Sequence, residues 1–247
     1  MSESNMHPDK AFILAAGFGT RMRPYTDHCP KPMVQVAGRS LIWRTLDKLF
    51  DAGVRETVVN VHYMAEILRA HLQDYCSENP KMVIHISLED EILDTGGGVK
   101  NALHYFGDDP FYVIAGDALW DDAHDVNALK MLAQAWDAEK MDIVTLMQPL
   151  EGMQLSAGVG DYDLHEDGRV HRSRDKTGQY MWTNIRLNSP KIYRDVEEHS
   201  FSFLKIMDAC EKAGRFYALP YMGQWHHISC PKDLETVDAD YKTRVKV

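Results

Sequence analysis

Several features are scarce in this 247-residue chain, and each scarcity excludes something. No run approaches the roughly 20 apolar residues that carry a helix across a bilayer, so an integral helical membrane protein is excluded. The opening Met-Ser-Glu-Ser-Asn-Met-His-Pro-Asp-Lys is polar and lacks the apolar core of an export signal, and a cytoplasmic setting is expected. Only four cysteines occur: Cys29, Cys76, Cys210 and Cys230. None stands in a C-x-x-C pair or at a zinc-like spacing, and reduced thiols are the expected state. Positive charge is also short, with 27 Lys and Arg against 37 Asp and Glu and a net charge of −10. That balance opposes non-specific nucleic-acid binding. An anionic ligand could bind only at a local cluster of cations. Internal repeats are missing too, including the hexapeptide repeats of a β-helix extension, and a monomer or homodimer is expected.

What the chain does contain is alternation. The apolar run 11–16 reads as a buried parallel strand. Ser40 can cap a helix that carries Ile42, Leu46, Leu49 and Phe50 on one face and stops at Gly53. Strands at 56–61, 82–88, 111–115 and 142–147 alternate with helices at 64–75, 99–106 and 126–140. The helix at 64–75 groups Ile67, Leu68, His71 and Leu72, and Gly96 to Gly98 interrupt the pattern before 99. This order predicts an α/β layer structure with a mostly parallel sheet. After Pro149 the texture shifts to short antiparallel strands at 158–170 and 179–188. A helix at 203–213, brief strands at 216–219 and 225–228 and a last helix opening at Pro231 follow. A single domain over 1–247 is expected, with a small C-terminal α+β elaboration.

Three strand ends carry unusual chemistry, and ligands in such sheets bind beyond the carboxyl ends of strands. The first is Ala15-Ala16-Gly17-Phe18-Gly19-Thr20-Arg21-Met22-Arg23-Pro24, followed by Pro30-Lys31-Pro32. Two glycines let the backbone turn its amides toward an anion, Thr20 adds a hydroxyl, and Arg21, Arg23 and Lys31 supply the charge a polyphosphate requires. The third glycine of a dinucleotide fingerprint is Met22 here, and no Gly-Lys-Ser/Thr loop exists. The second place is Leu93-Asp94-Thr95-Gly96-Gly97-Gly98, readable as a seat for a nucleobase or sugar with open amides, or as a flexible turn. The third is Gly116-Asp117, where a carboxylate can hold a phosphate-bound cation or cap a helix. Asp121 and Asp122 read as surface residues of the following turn.

Gly17-x-Gly-Thr-Arg-Met-Arg-Pro-x-Thr26 with Pro30-Lys-Pro-Met33, the Leu93–Gly98 segment and Gly116-Asp117 resemble the signature of the sugar-1-phosphate nucleotidylyltransferases. The resemblance runs from Ala11 to Trp120, fades after Pro149 and returns at Gly223 to Leu234. Within that family the short chain and the Thr-Gly-Gly-Gly form look most like N-acetylmuramate-1-phosphate uridylyltransferases. Mannose-1-phosphate guanylyltransferases share much of the first motif. The resemblance implies a Rossmann-like sheet of the nucleotide-diphospho-sugar transferase type. Residues 1–150 would form the nucleotide-binding part and 151–247 the sugar-binding part. It implies that an NTP, UTP or GTP, reacts with a sugar 1-phosphate to give an NDP-sugar and pyrophosphate. Ala15, Ala16, Gly17, Gly19 and Thr20 would bind nucleotide, Arg21 and Lys31 would hold phosphates, and Thr95, Gly96 and Gly97 would lie near base or sugar. Asp117 would bind Mg2+, or Mn2+. Asn184 and Trp182 are the candidate sugar contacts.

One segment departs from the family's pattern. A second metal-binding Asp is usual late in the chain, in a Trp-x-Asp-x-Gly-Thr context, whereas this chain reads Gln224-Trp-His-His-Ile-Ser-Cys230. With Trp225 as the register, His227 stands at the Asp position. Imidazole suits Mn2+, Co2+ or Zn2+ better than Mg2+. His227 could therefore ligate a softer metal, leave Mg2+ to Asp117 and phosphates, mark lost turnover, or simply pack in a strand.

Overall fold

In this computed structural model the described residues are 8–123, 126–155 and 158–245, so most of the polar opening segment lies outside them. The first half runs β1 (Lys10–Leu14), β2 (Gln35–Val36), β3 (Arg39–Ser40), α1 (Leu41–Ala52), β4 (Glu56–Val61), α2 (Ala65–Glu78), β5 (Val83–Leu88), α3 (Asp94–Asn101) and β6 (Phe111–Ala115). Then come β7 (Trp120–Asp121), α4 (Ala128–Ala135), β8 (Ile143–Pro149), β9 (Tyr162–Leu164), β10 (Val170–Arg172) and β11 (Tyr180–Asn188). The chain closes with α5 (Leu204–Lys212), β12 (Phe216–Pro220), β13 (Gln224–Trp225) and α6 (Pro231–Val245).

Nine strands make one sheet in the order β10-β9-β11-β6-β1-β4-β5, with β8 on β11 and β12 beside β8. β6, β1, β4 and β5 are mutually parallel, as is β12 on β8. β11 runs antiparallel to both β6 and β8. The central strands are buried on both faces because their side chains alternate between two cores. Ala11 and Ile13 of β1, Val59 and Val61 of β4, and Tyr112 and Ile114 of β6 join the core under α1, α2 and α4. Phe12, Val58, Phe111 and Val113 point to the opposite core with Val99, Phe201 and Met207.

Local signals explain most boundaries. Ser40 Oγ accepts the Trp43 amide at the start of α1, and Gly53 closes that helix with φ 103°. Asn127 caps α4 on the Leu129 and Lys130 amides, and the helix stops at Ala135, five residues short of the expected end. On α2 the buried stripe is Leu68, Leu72 and Tyr75, while Ile67 faces out. The largest departure is α3. The glycines do not break it; the helix runs through Gly96, Gly97 and Gly98, all buried. Close packing outweighs the poor helix propensity of glycine here.

A third core fixes the segment after β1. Met22, Val34, Val36 and Leu41 pack on Leu234, Val237 and Tyr241 of α6. The Ala37 amide also donates to Asp238 Oδ1 at 2.8 Å. α6 begins where Asp233 Oδ2 accepts the Ser229 and Cys230 amides at 2.8 and 3.0 Å and the Ser229 hydroxyl at 2.8 Å. Its far end is tied to Asp121, which is not a loose surface residue: Tyr241 and Arg244 donate to its carboxylate, each at 2.6 Å, and His226 Nε2 lies 2.9 Å from it. Among the described residues no helix is long and apolar enough to cross a membrane.

Candidate active site

A cavity opens where β1 and β6 end side by side. Gly116 permits that approach: its amide donates to the Leu14 carbonyl at 2.8 Å. A Cβ there would lie 3.1 Å from the same oxygen and 3.2 Å from Pro32 Cγ. The cavity holds about 380 Å3, with Ala15, Ala16, Gly17 and Gly19 along one side. Arg21, Lys31, Asp117, Thr95 and Asn184 complete the part that sequence reasoning named, so residues from both halves of the chain share one space.

The loop owes its shape to two different glycines. Gly17 faces open space, with nothing near a Cβ position. Gly19 has φ +63°, and a Cβ would sit 3.0 Å from Lys31 Cβ and 3.1 Å from Thr26 Cγ2. The missing side chain thus lets the two arms of the loop close, and Thr26 Oγ1 locks them by donating to the Gly19 carbonyl at 2.9 Å. Lys31 is then carried toward β6, where its ammonium pairs with Asp117 Oδ2. Arg21 has no carboxylate partner among the described residues, and it lines this cavity and an adjacent recess. A cation held in that way is available to an anionic ligand.

Some expected residues lie elsewhere. Arg23 points away and pairs with Asp27 at 3.3 Å, an i,i+4 contact on the surface, so the loop brings two cations to the cavity and not three. Thr20 borders the adjacent recess with Arg21, Lys31 and Ser229. Gly96 and Gly97 do not offer open amides: both donate to the Phe201 carbonyl, at 2.9 and 3.1 Å. A Cβ on Gly96 would reach within 2.2 Å of the Phe201 ring, and one on Gly97 within 2.4 Å of the His199 carbonyl. Their role in the structure is close packing behind the cavity wall. Trp182 lines a second cavity, of about 250 Å3, which adjoins the first through Thr95 and Asn184.

Behind the loop lies a polar frame that no sequence motif announces. Asn60 Oδ1 accepts the Ala15 amide at 2.7 Å, and Asn60 Nδ2 donates to Glu89 Oε1 at 2.7 Å. Glu89 Oε2 in turn accepts the Leu93 amide at 3.0 Å. This buried chain fixes the end of β1 against the start of α3. The signal that could have found it is Asn60 itself, a polar residue among Val58, Val59 and Val61 in an otherwise apolar strand.

His227 follows β13 and lies within electrostatic reach of Lys31, Arg21 and Asp117. Burial is the main influence on its imidazole and lowers its proton affinity, Asp233 opposes this, and Lys31 and Arg21 add to the lowering. The ring is therefore neutral at pH 7, with a nitrogen lone pair free to accept a proton or a metal. Among the described residues, no three His, Cys, Asp or Glu side chains converge as a metal site.

Sheet order and the glycine loop at the strand ends define an α/β protein with its cavity beyond the carboxyl ends of the strands, and comparisons with known proteins give the class as a nucleotidyltransferase. The family model described as "Nucleotidyl transferase" matches residues 10–244. An N-acetylmuramate alpha-1-phosphate uridylyltransferase of Caulobacter vibrioides is 35% identical over 229 residues, covering 91% of this chain and 93% of that protein. A mannose-1-phosphate guanylyltransferase catalytic subunit beta of Danio rerio is 30% identical over 236 residues, and its match covers 92% of this chain but 63% of the longer relative. In fold, the crystal structure of UDP-glucose pyrophosphorylase complexed with UDP-glucose superimposes with a TM-score of 0.77 at 17% identity, covering 96% of this chain and 100% of that one. The chain belongs to the nucleotidyl transferase family.

Proposed function

We propose that the protein is a cytoplasmic sugar-1-phosphate nucleotidylyltransferase, with UTP and N-acetylmuramate 1-phosphate as its substrates and an NDP-sugar and pyrophosphate as products. The observation that carries this reading is the convergence of Arg21, Lys31 and Asp117 on one cavity beside the open Gly17 backbone. The uridylyltransferase relative, matched over nearly its whole length, supports the choice of base and sugar. Guanylyl transfer to mannose 1-phosphate is the second reading, supported by the guanylyltransferase match.

The chemistry needs no general base. A phosphate oxygen of the sugar 1-phosphate is already ionised at neutral pH and attacks the α-phosphorus of the NTP. The new P–O bond forms as the bond to the β-phosphate oxygen breaks, and pyrophosphate leaves with that electron pair. Repulsion between two anions is the obstacle, so catalysis rests on positioning and charge neutralisation. Arg21 and Lys31 bind the phosphate tail and offset its charge as it is displaced. Asn184, which lines both cavities, orients the acceptor between them.

Asp117 is the carboxylate that would hold a divalent cation, and His227, within electrostatic reach of it, is the second candidate ligand. One or two carboxylates plus substrate phosphates are the usual set for Mg2+, so a single Asp fits a cation that arrives with the nucleotide. Bound there, it would supply further neutralisation of phosphate charge. When Lys31 turns to the phosphates, Asp117 Oδ2 is released from the ion pair.

Pyrophosphate release from a panel of NTPs and sugar 1-phosphates tests the proposal and separates the two readings. Release with UTP and N-acetylmuramate 1-phosphate is expected. Saturable NTP binding without release for any pair would reduce the protein to a nucleotide-binding relative.

A further inference from the structure

The second cavity holds a charge that its own walls do not neutralise. Three cations line it, Arg172, Lys176 and Arg186, against one carboxylate, Asp161. Lys176 is paired with Asp161 at 2.6 Å and Arg172 with Asp208 at 2.8 Å. Arg186 has no carboxylate partner among the described residues, although it is only 1% exposed. Its guanidinium carbon lies 3.9 Å above the Phe203 ring. Nη1 donates to Asn184 Oδ1, while Nε and Nη2 have no acceptor in hydrogen-bonding geometry. The neutral Tyr193 hydroxyl, which accepts from Asn188 Nδ2 at 2.7 Å, is with Asn184 a polar group beside the guanidinium, and it carries no charge to balance it.

A guanidinium keeps its charge when buried, and a buried charge without a counter-ion is costly. The local backbone bends around this group. β11 changes register between Trp182 and Arg186, and Asn184 at the bend has φ +60°. Bulges of this kind re-aim side chains next to binding sites. Here the bulge turns Asn184 into the passage between the cavities and leaves Arg186 at the floor of the second. An acceptor whose phosphate lay in the first cavity would extend its sugar past Asn184 toward Arg186.

We propose that the second cavity selects a sugar 1-phosphate bearing a second acidic group, a carboxylate on the ring substituent, and that Arg186 reads that carboxylate. The carboxylate takes the place of Asn184 Oδ1 on Nη1 and draws a second donor of the guanidinium fork into a two-point contact. A neutral sugar leaves the charge as it stands and gains nothing from it. Arg186 is thus a specificity-determining residue of the acceptor site, an inference that rests on the proposed transferase activity.

The test compares N-acetylmuramate 1-phosphate with N-acetylglucosamine 1-phosphate, the same ring without the acidic ether, in turnover with UTP and in calorimetric titration. For the wild-type protein the acidic sugar is expected to be favoured roughly tenfold to a hundredfold, the range for a charge-assisted contact. Arg186→Met should abolish that preference, bringing the ratio of kcat/KM for the acidic and the neutral sugar close to one, whatever the change in absolute turnover. Arg186→Lys, which keeps the charge but not the fork, should retain part of it and serves where the Met variant does not fold. Turnover without an acid preference, or an unchanged preference in a folded Arg186→Met variant, overturns the proposal and leaves the transferase reading intact. Absence of turnover with every pair overturns the transferase reading; calorimetry still decides whether the acidic sugar binds more tightly through Arg186.

Discussion

Lys31 and Asp117 meet in the cavity although they are 86 positions apart, the ammonium of the loop resting on the carboxylate just beyond β6. Each is the other's counter-ion until a phosphate tail enters. Lys31→Met should therefore weaken NTP binding about tenfold or more and lower turnover by roughly two to three orders of magnitude, the scale of losing a charge-stabilising group. Asp117→Asn should reduce turnover to a similar degree while NTP binding without added metal stays near wild type, since Lys31 is then freed. Calorimetry and a pyrophosphate assay give both numbers. Full turnover in either variant would remove that residue from the reacting centre.

His227 lies within electrostatic reach of this pair as a neutral imidazole, although it is not part of the cavity lining that holds them. His227→Asp should raise turnover in Mg2+ relative to Mn2+, because a carboxylate is the harder ligand. Rates in the two metals, measured for both proteins, check this. Identical ratios would take His227 out of metal binding.

Gly98 guards the polar frame behind the loop. A Cβ there would lie 2.6 Å from Glu89 Oε1 and 2.8 Å from Asn60 Nδ2. Gly98→Ala should destabilise the fold by about 1–3 kcal/mol through overpacking. At roughly 2–4 °C per kcal/mol for a chain of this length, calorimetry should show a Tm lower by several degrees. A wild-type Tm would mean that the frame can shift without cost.

Asp121 ties the C-terminal helix to the sheet. Burial alone would raise its proton affinity, but hydrogen bonds from His226, Tyr241 and Arg244 outweigh this and hold the carboxyl well below the usual carboxylate range. Its folded pKa is thus depressed. The stability it contributes is full above the unfolded value of about 4 and is lost as pH falls below it. Asp121→Asn should lower Tm at pH 7 and flatten the decline in Tm on acidification below about pH 4. Parallel Tm-against-pH curves for the two proteins would contradict this.

The alternation of strands and helices was legible because β1, β4 and β6 are buried on both faces and so read as apolar runs. The cation loop was legible for a different reason: glycine, arginine and proline at one strand end have little structural use together. Arg23 was misplaced because its near neighbour Asp27 captures it. The helix through Gly96 to Gly98 escaped because local propensity treats glycine as a breaker, whereas the Phe201 ring and the His199 carbonyl leave no room for any other residue. Asn60, Glu89 and Arg186 are single polar residues whose partners are distant in sequence, and only the fold joins them.

The packing of α6 on the segment behind Met22 makes the tail of the chain a mechanical part of the loop that carries Arg21 and Lys31, although Leu234, Val237 and Tyr241 sit among apolar neighbours. Cutting the chain before Pro231 would strip the backing from Arg21 and Lys31 while leaving every residue of the glycine loop in place. A shortened protein of that kind could keep its sheet and still let nucleotide slip away, so the boundary of the working centre is drawn by leverage more than by proximity.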